Sequence, residues 1–180
     1  MTDTAPPIGT KSAYGELIET TSVRMERVLP GPIERIWDYL TKSEMRGQWL
    51  AVGDMDLRVG GKVELTWRND ELTGQHEGRP EGVPAVHSME TTVIKVDPPR
   101  LLAFGWNGGS DVTFELEPMG HEVKLTVTHR RAKDRGQLLG VSAGWHAHLD
   151  VLEARLRGAA PPMFWANWTK LKAEYDQRLA

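Results

Sequence analysis

The sequence predicts an α+β fold, a curved antiparallel β-sheet wrapped around a long C-terminal helix, with two short helices after the first strand. Three observations predict it. Gly144-Trp-His-Ala-His-Leu-Asp-Val-Leu-Glu-Ala-Arg-Leu156 reads as one amphipathic helix. With Trp145 at the origin and about 100° per residue, Leu138, Leu149, Leu152 and Leu156 fall within about 40° of it. Upstream, several segments alternate apolar and polar residues with period two, the pattern of strands with one buried face. Strands and helices are also segregated along the chain rather than interleaved, which excludes a βαβ repeat.

In chain order, residues 14–29 hold strand-like stretches. Pro30-Gly-Pro32 then opens a helix in which Ile33, Ile36, Trp37 and Leu40 share a face, with Pro32 suited to the first turn. Trp37 is expected to pack helix to sheet. Thr41 or Ser43 is placed to cap a second short helix reaching Trp49. Val63, Leu65 and Trp67 alternate with charged or polar neighbours, as do Val112, Phe114 and Leu116, and Val123, Leu125 and Val127. Pro118-Met-Gly-His121 joins the last two as a hairpin, and residues 101–106 and 86–96 supply two more strands. In the latter the phase is ambiguous: Thr92, Ile94 and Val96 compete with Met89, Thr91 and Val93. Asn69 to Pro84, rich in Gly and Pro, reads as a long loop. Gly158-Ala-Ala-Pro-Pro162 interrupts the chain before a last helix over roughly 164–179, whose Trp165 and Trp168 are expected to help cover the body.

The 180 residues suit one domain with a sizeable core. Residues 1–12 read as a disordered tail, 13–157 as the domain, and 158–180 as a helical extension of it. The 39% hydrophobic and 26% charged content is ordinary for a globular protein. A net charge of −3 without a basic cluster gives no reason to expect nucleic acid. There is no cysteine, which removes disulfides, thiolate catalysis and Cys-based metal sites. The N-terminus lacks the features of a secretory signal, and no apolar run approaches the ~18 residues of a membrane span. A cytoplasmic protein is the simplest expectation.

Few motifs carry chemistry. Gly140-Val-Ser-Ala-Gly144 matches G-x-S-x-G, but a nucleophile elbow needs a strand–turn–helix in a parallel sheet with a histidine after the acid, and no histidine follows Asp150. These small residues instead suggest a bend, or a close approach of helix to sheet. His146 and His148 diverge by about 200° on a helix and cannot share one ion. No metal or cofactor is expected, and any activity should survive chelation. His146 and Asp150, at i and i+4, read as a solvated helix pair. His129 extends the inward phase of Val123, Leu125 and Val127. Such an imidazole either bonds to backbone as a core or rim residue, or orients a ligand, or acts as a base. Trp67 and Trp106 fall on inward phases and Trp145 heads the helix stripe. Aromatic stripes are commonly core, yet together with His129 these three are the candidate ligand-binding residues, since an indole offers an apolar face and an N–H. No catalytic constellation is visible. Gly60-Gly61 and Gly108-Gly109 read as turns, and no phosphate-binding pattern occurs.

Several segments together resemble the SRPBCC superfamily, also called START or Bet v 1-like. They are residues 26–37, Leu40-Thr41 with Trp49-Leu50, residues 57–62, 96–102 and 112–118, Leu125-Thr-Val-Thr-His129, and Gly144-Trp145 with Leu149 and Leu152. Within it the chain is similar to bacterial relatives of the C-terminal domain of the activator of heat-shock protein 90 ATPase. The likeness covers roughly residues 20–157. It implies the helix-grip fold, with the sheet gripping the long helix over a hydrophobic cavity. It leaves function open, because the superfamily includes lipid carriers, hormone receptors, polyketide cyclases and co-chaperone domains. The co-chaperone also carries a separate N-terminal domain that 180 residues do not accommodate. The expected function is binding of a small hydrophobic or amphipathic molecule between sheet and helix. The alternatives are a cyclase- or hydratase-type enzyme with His129 as base, and a chaperone-associated interaction module.

Overall fold

Period-two alternation builds the sheet, and the sheet decides where the long helix lies. The computed structural model describes residues 12–74 and 78–180; residues 1–11 of the expected tail fall outside them. The strands are β1 (Glu16–Glu19), β2 (Ser22–Pro30), β3 (Lys62–Trp67), β4 (His87–Asp97), β5 (Leu101–Gly105), β6 (Asp111–Met119) and β7 (Glu122–Arg130). The helices are α1 (Ile33–Thr41), α2 (Ser43–Arg46), α3 (Arg135–Arg157) and α4 (Phe164–Arg178). All seven strands form one curved sheet in the order β1-β2-β7-β6-β5-β4-β3, and every neighbouring pair is antiparallel. The stretch 14–29 divides at the Thr20-Thr21 turn, so both short helices follow β2.

Pairing aligns the inward residues into rows. Val23, His129, Val112, Phe104 and Val93 are successive partners across five strands. Met25, Val127, Phe114, Leu102 and Val96 form the next row. The ambiguous phase of β4 has a physical cause. Met89 and Val93 are buried, then the register shifts between Val93 and Lys95 and brings Val96 inward while Ile94 stays exposed. Each candidate phase is thus correct for part of the strand. Gly120, at φ +66°, supplies the left-handed conformation that closes the two-residue β6–β7 turn.

Pro32 is the N-cap of α1, one position before the first helical residue. Neither Thr41 nor Ser43 caps α2. Thr41 Oγ1 donates to Trp37 O at 2.8 Å, and Ser43 Oγ accepts from Gly53 N at 2.9 Å. Helix α2 also stops at Arg46 rather than reaching Trp49. The buried Arg46 accounts for the tight geometry here. Its guanidinium donates to the carbonyls of Leu40, Thr41, Ala51 and Gly53, tying the end of α1 to the loop after α2. Within the Asn69–Pro84 loop, Asn69–Glu71 makes a single 3-10 turn.

Helix α3 is capped by Asp134, whose Oδ1 accepts from Gln137 N at 2.7 Å, and it stops at Gly158, which takes the left-handed conformation at φ 67°. Leu138, Trp145, Leu149, Leu152 and Leu156 are all buried, Leu149 at 1% exposure. Replacing Leu149 by Ala should therefore cost about 2–5 kcal/mol, the range for emptying a buried leucine site. Urea unfolding of the variant measures it, and a loss below about 0.5 kcal/mol, typical of a surface change, would contradict this packing.

Candidate functional site

Four residues from separate elements meet above the sheet. Trp106, which follows β5, has its ring centroid 5.5 Å from Trp67 on β3, 5.3 Å from His129 on β7 and 5.4 Å from Trp145 on α3. Trp145 also meets Phe114 edge-on at 5.5 Å. The residues singled out from alternation and the helix stripe are thus one contiguous cluster.

Within it His129 is fully engaged by protein. Its Nδ1 accepts the Trp145 Nε1–H at 3.1 Å, which places its own proton on Nε2. That nitrogen faces Ser110 Oγ at 3.2 Å, and Ser110 Oγ donates to Asn107 O at 2.9 Å. Burial pushes the imidazole down to about 4, so it is neutral at physiological pH. Its lone pair is committed to the indole and is not available as a base. The Trp145 N–H, in turn, is not available to a ligand.

A hollow lies beside this cluster, and two glycines create it. Gly140 and Gly144 sit one turn apart on α3, and a Cβ added at either would meet nothing within 4 Å. The two glycines therefore neither break the helix, which runs unbroken from Arg135 to Arg157, nor bring a neighbouring element close at their own positions, whereas Ser142 and Ala143 between them are fully buried. They leave a cavity of about 110 Å³ lined with Leu50, Trp106, Val141, Trp145 and His148 as well as themselves. Trp67 and His129 are not among its walls; each touches Trp106 from elsewhere.

His148 places an imidazole in this wall, and sequence reasoning weighed it only as half of a His-x-His pair. Its Nδ1 donates to Trp49 O at 2.8 Å, which leaves Nε2 unprotonated and without a hydrogen-bond partner among the described residues. Burial lowers this imidazole to about 4. The signal was present: on a helical wheel His148 lies about 60° from Trp145, at the edge of the sheet-facing stripe.

The opposite side of α3 overturns the solvated reading of His146 and Asp150. His146 is 5% exposed, covered by α4 and by Tyr14, whose ring meets it edge-on at 4.9 Å. Its Nδ1 faces Tyr175 Oη at 2.9 Å, and that hydroxyl accepts from Gly15 N at 2.7 Å. Asp150 receives Arg27 Nη2 at 3.4 Å and Asn167 Nδ2 at 2.9 Å. Burial raises its carboxyl, with the Asn167 bond and Arg27 acting against the rise. Arg27, on the inward phase of β2, was the missed signal: a charge on a buried strand face requires a buried partner. This network joins β2, α3 and α4 with the segment before β1. Ser142 Oγ is buried and donates to Leu138 O at 2.7 Å, so no nucleophile elbow exists. Among the described residues no group of three His, Cys, Asp or Glu is placed to hold a metal ion, and no helix is long and apolar enough to cross a membrane.

Residues 30–157 match the family described as "Activator of Hsp90 ATPase homolog 1-like protein", and the chain belongs to that family. No curated protein matches it. Among solved structures it is similar to the solution structure of a protein from Bordetella parapertussis, with 37% identity and a TM-score of 0.75 over 97% of this chain and 95% of that one. It shares the fold of CalU16 from Micromonospora echinospora, at 21% identity and TM-score 0.66 over 88% of each chain. It also shares the fold of a conserved protein of unknown function from Enterococcus faecalis, at 16% identity and TM-score 0.66 over 89% of this chain and 86% of that one.

Three buried histidines, His129, His146 and His148, are held near 4, below the ordinary value of 6.5. Above pH ~6.5 they are neutral in both folded and unfolded chains, and the stability that neutrality allows is fully present. As the pH falls from about 6.5 toward 4 the unfolded chain takes up protons that the folded one refuses. Each such histidine then subtracts about 1 kcal/mol per pH unit. Urea midpoints measured from about pH 7.5 to 5 should fall steadily below pH 6.5; a flat profile would show that the imidazoles are not held neutral.

Proposed function

We propose that this family member binds a small apolar molecule carrying one hydrogen-bond donor, in the hollow that Gly140 and Gly144 open along α3. The observation that carries the reading is this glycine pair. A glycine inside a helix is less stable than alanine by about 0.5–1 kcal/mol. No atom stands within 4 Å of where either alanine Cβ would lie. The chain thus keeps two destabilising residues at positions whose effect is to leave room.

The walls set the ligand's chemistry. Trp106, Trp145, Leu50 and Val141 offer apolar surface, whose burial favours binding by roughly 25 cal/mol per Å². His148 Nε2 supplies an acceptor that orients a donor. About 110 Å³ suits a single ring or a branched chain of similar size. A simple phenol has both features.

Binding is favoured over turnover by the state of the two imidazoles. The lone pair of His129 is occupied by Trp145. That of His148 faces the hollow, but a group held at about 4 is a weak general base, whose best value lies near the working pH.

Phenol should quench tryptophan fluorescence, and benzene, which lacks the donor, should bind more weakly. Gly144→Leu should abolish the phenol response while the thermal midpoint stays the same or rises. Unchanged phenol binding in that variant would refute the site. Gly144→Ala alone should raise stability by about 0.5–1 kcal/mol.

A further inference from the structure

The turn between β5 and β6 carries a reactive dipeptide that the hollow does not use. Of the asparagines, only Asn107 precedes a glycine. Asn107, Gly108 and Gly109 are exposed and form a 3-10 turn, in which the two glycines take φ of 75° and 78°. Among the described residues the Asn107 side-chain amide has no hydrogen-bond partner, so it is free to swing toward the next peptide nitrogen. Gly108 has no Cβ to obstruct that approach. Asn167, by contrast, is tied through Nδ2 to Asp150 Oδ2 at 2.9 Å.

What sets this peptide group apart is its carbonyl. Asn107 O accepts two side-chain hydrogen bonds, from Ser110 Oγ at 2.9 Å and from Gln137 Nε2 at 3.1 Å. Both donors are oriented by their other partners. The Trp145 Nε1–H occupies His129 Nδ1, so His129 donates from Nε2 to Ser110 Oγ at 3.2 Å and leaves the hydroxyl proton for Asn107 O. Gln137 Oε1 accepts from Lys133 N at 2.7 Å, which turns its amide nitrogen toward the same oxygen. Asn107 O belongs to the peptide group whose N–H is that of Gly108. Donors on this oxygen draw electron density out of the amide, make the Gly108 N–H more acidic and stabilise the peptide anion, as donors do wherever negative charge develops on oxygen. The chain from Trp145 through His129 to Ser110 adds to the effect, because linked hydrogen bonds polarise one another.

We propose that Asn107-Gly108 is a self-modification site, at which the Gly108 nitrogen attacks the Asn107 side-chain amide and Ser110 and Gln137 activate the attack. Gly108 N gives its proton to solvent, and its electron pair forms a bond to Asn107 Cγ. The Cγ–Nδ2 bond breaks, Nδ2 takes up a proton from solvent and leaves as ammonia, and a cyclic imide remains. Closure of this ring joins adjacent residues and needs no external nucleophile. Water then opens the imide. Addition at Cγ breaks the new bond and gives aspartate. Addition at the Asn107 backbone carbonyl breaks the original peptide bond and gives isoaspartate, in which the chain runs through Cβ and Cγ. Either way one water enters, one ammonia leaves, and nothing is oxidised or reduced. The isoaspartate lengthens the backbone between Trp106, a wall of the α3 hollow, and Ser110, the partner of His129.

The test uses the whole folded chain, aged in mildly alkaline buffer and followed by peptide mass spectrometry. The peptide holding Asn107 should gain the mass of an amide-to-acid conversion, largely as isoaspartate, while those holding Asn69 and Asn167 stay unchanged. Gln137→Glu keeps the acceptor for Lys133 N and removes the donor to Asn107 O. It should slow the conversion roughly 3- to 10-fold, the weight of one hydrogen bond. A purely structural role for Gln137 predicts the reverse, since a loosened turn reaches the cyclising geometry more often. Ser110→Ala should slow the conversion similarly, and Gln137→Glu decides the question if that variant, altered at a buried site, does not fold. No mass gain at Asn107 would overturn the proposal, as would a Gln137→Glu chain that converts as fast as the parent or faster.

Discussion

Burial of α3 on more than one side is the constraint from which the rest of the architecture follows. Thirteen of its 23 residues are buried, more than the sheet-facing stripe supplies. The sheet takes Trp145, Leu149, Leu152 and Leu156; α4, the loop after α2 and the segment before β1 close over much of the remainder. Because the covered residues include Ser142, His146 and His148, each needs a polar partner, from a covering element or from α3 itself. Trp49 offers its carbonyl to His148, Tyr175 its hydroxyl to His146, and Leu138 its carbonyl to Ser142. A buried polar group without such a partner would cost about 1–3 kcal/mol, so the positions of these elements are fixed by chemistry as well as by shape.

This also explains what the sequence disclosed and what it withheld. Alternation and the helical stripe are local patterns, and they placed the strands, the long helix and the cluster of Trp67, Trp106, His129 and Trp145. The partner of a polar helix face is not local. Nothing within His146–Asp150 indicates that Tyr175, 29 residues later, reaches His146, and so a buried histidine with a half-buried aspartate reads as a solvated pair. The hollow was misread for a related reason. Glycines permit both close approach and empty space, and only the position of the neighbouring element separates the two outcomes. Arg27 and His148 were legible in principle. The first is a charge on the inward phase of a strand, and the second lies at the edge of an apolar helix stripe.

The tryptophans show how packing and polarity are divided in the structure. The N–H of Trp145 is taken by His129, that of Trp165 by Asp70 and that of Trp49 by Tyr39 O at 2.8 Å. An indole anchored in this way keeps its orientation and presents only its ring face to an adjoining cavity. Rigid apolar walls lose little conformational entropy when they are contacted, because their rotamers are already set. For Trp145, which borders the α3 hollow, the bond that fixes the ring also removes its donor from the site.

Beside the α3 hollow the fold leaves one imidazole nitrogen unused, His148 Nε2, and it is an acceptor. The histidine is an acceptor for a thermodynamic reason. Burial holds it neutral, and the bond from its Nδ1 to Trp49 O selects the tautomer in which Nε2 carries the lone pair. Protonation would turn that nitrogen into a donor, but it would also place an unpaired cation in an apolar wall, which burial opposes. The same desolvation that lowers the imidazole's basicity therefore keeps its hydrogen-bonding role constant across the physiological pH range. A molecule entering the α3 hollow thus meets aromatic faces and, on His148, an acceptor that stays an acceptor.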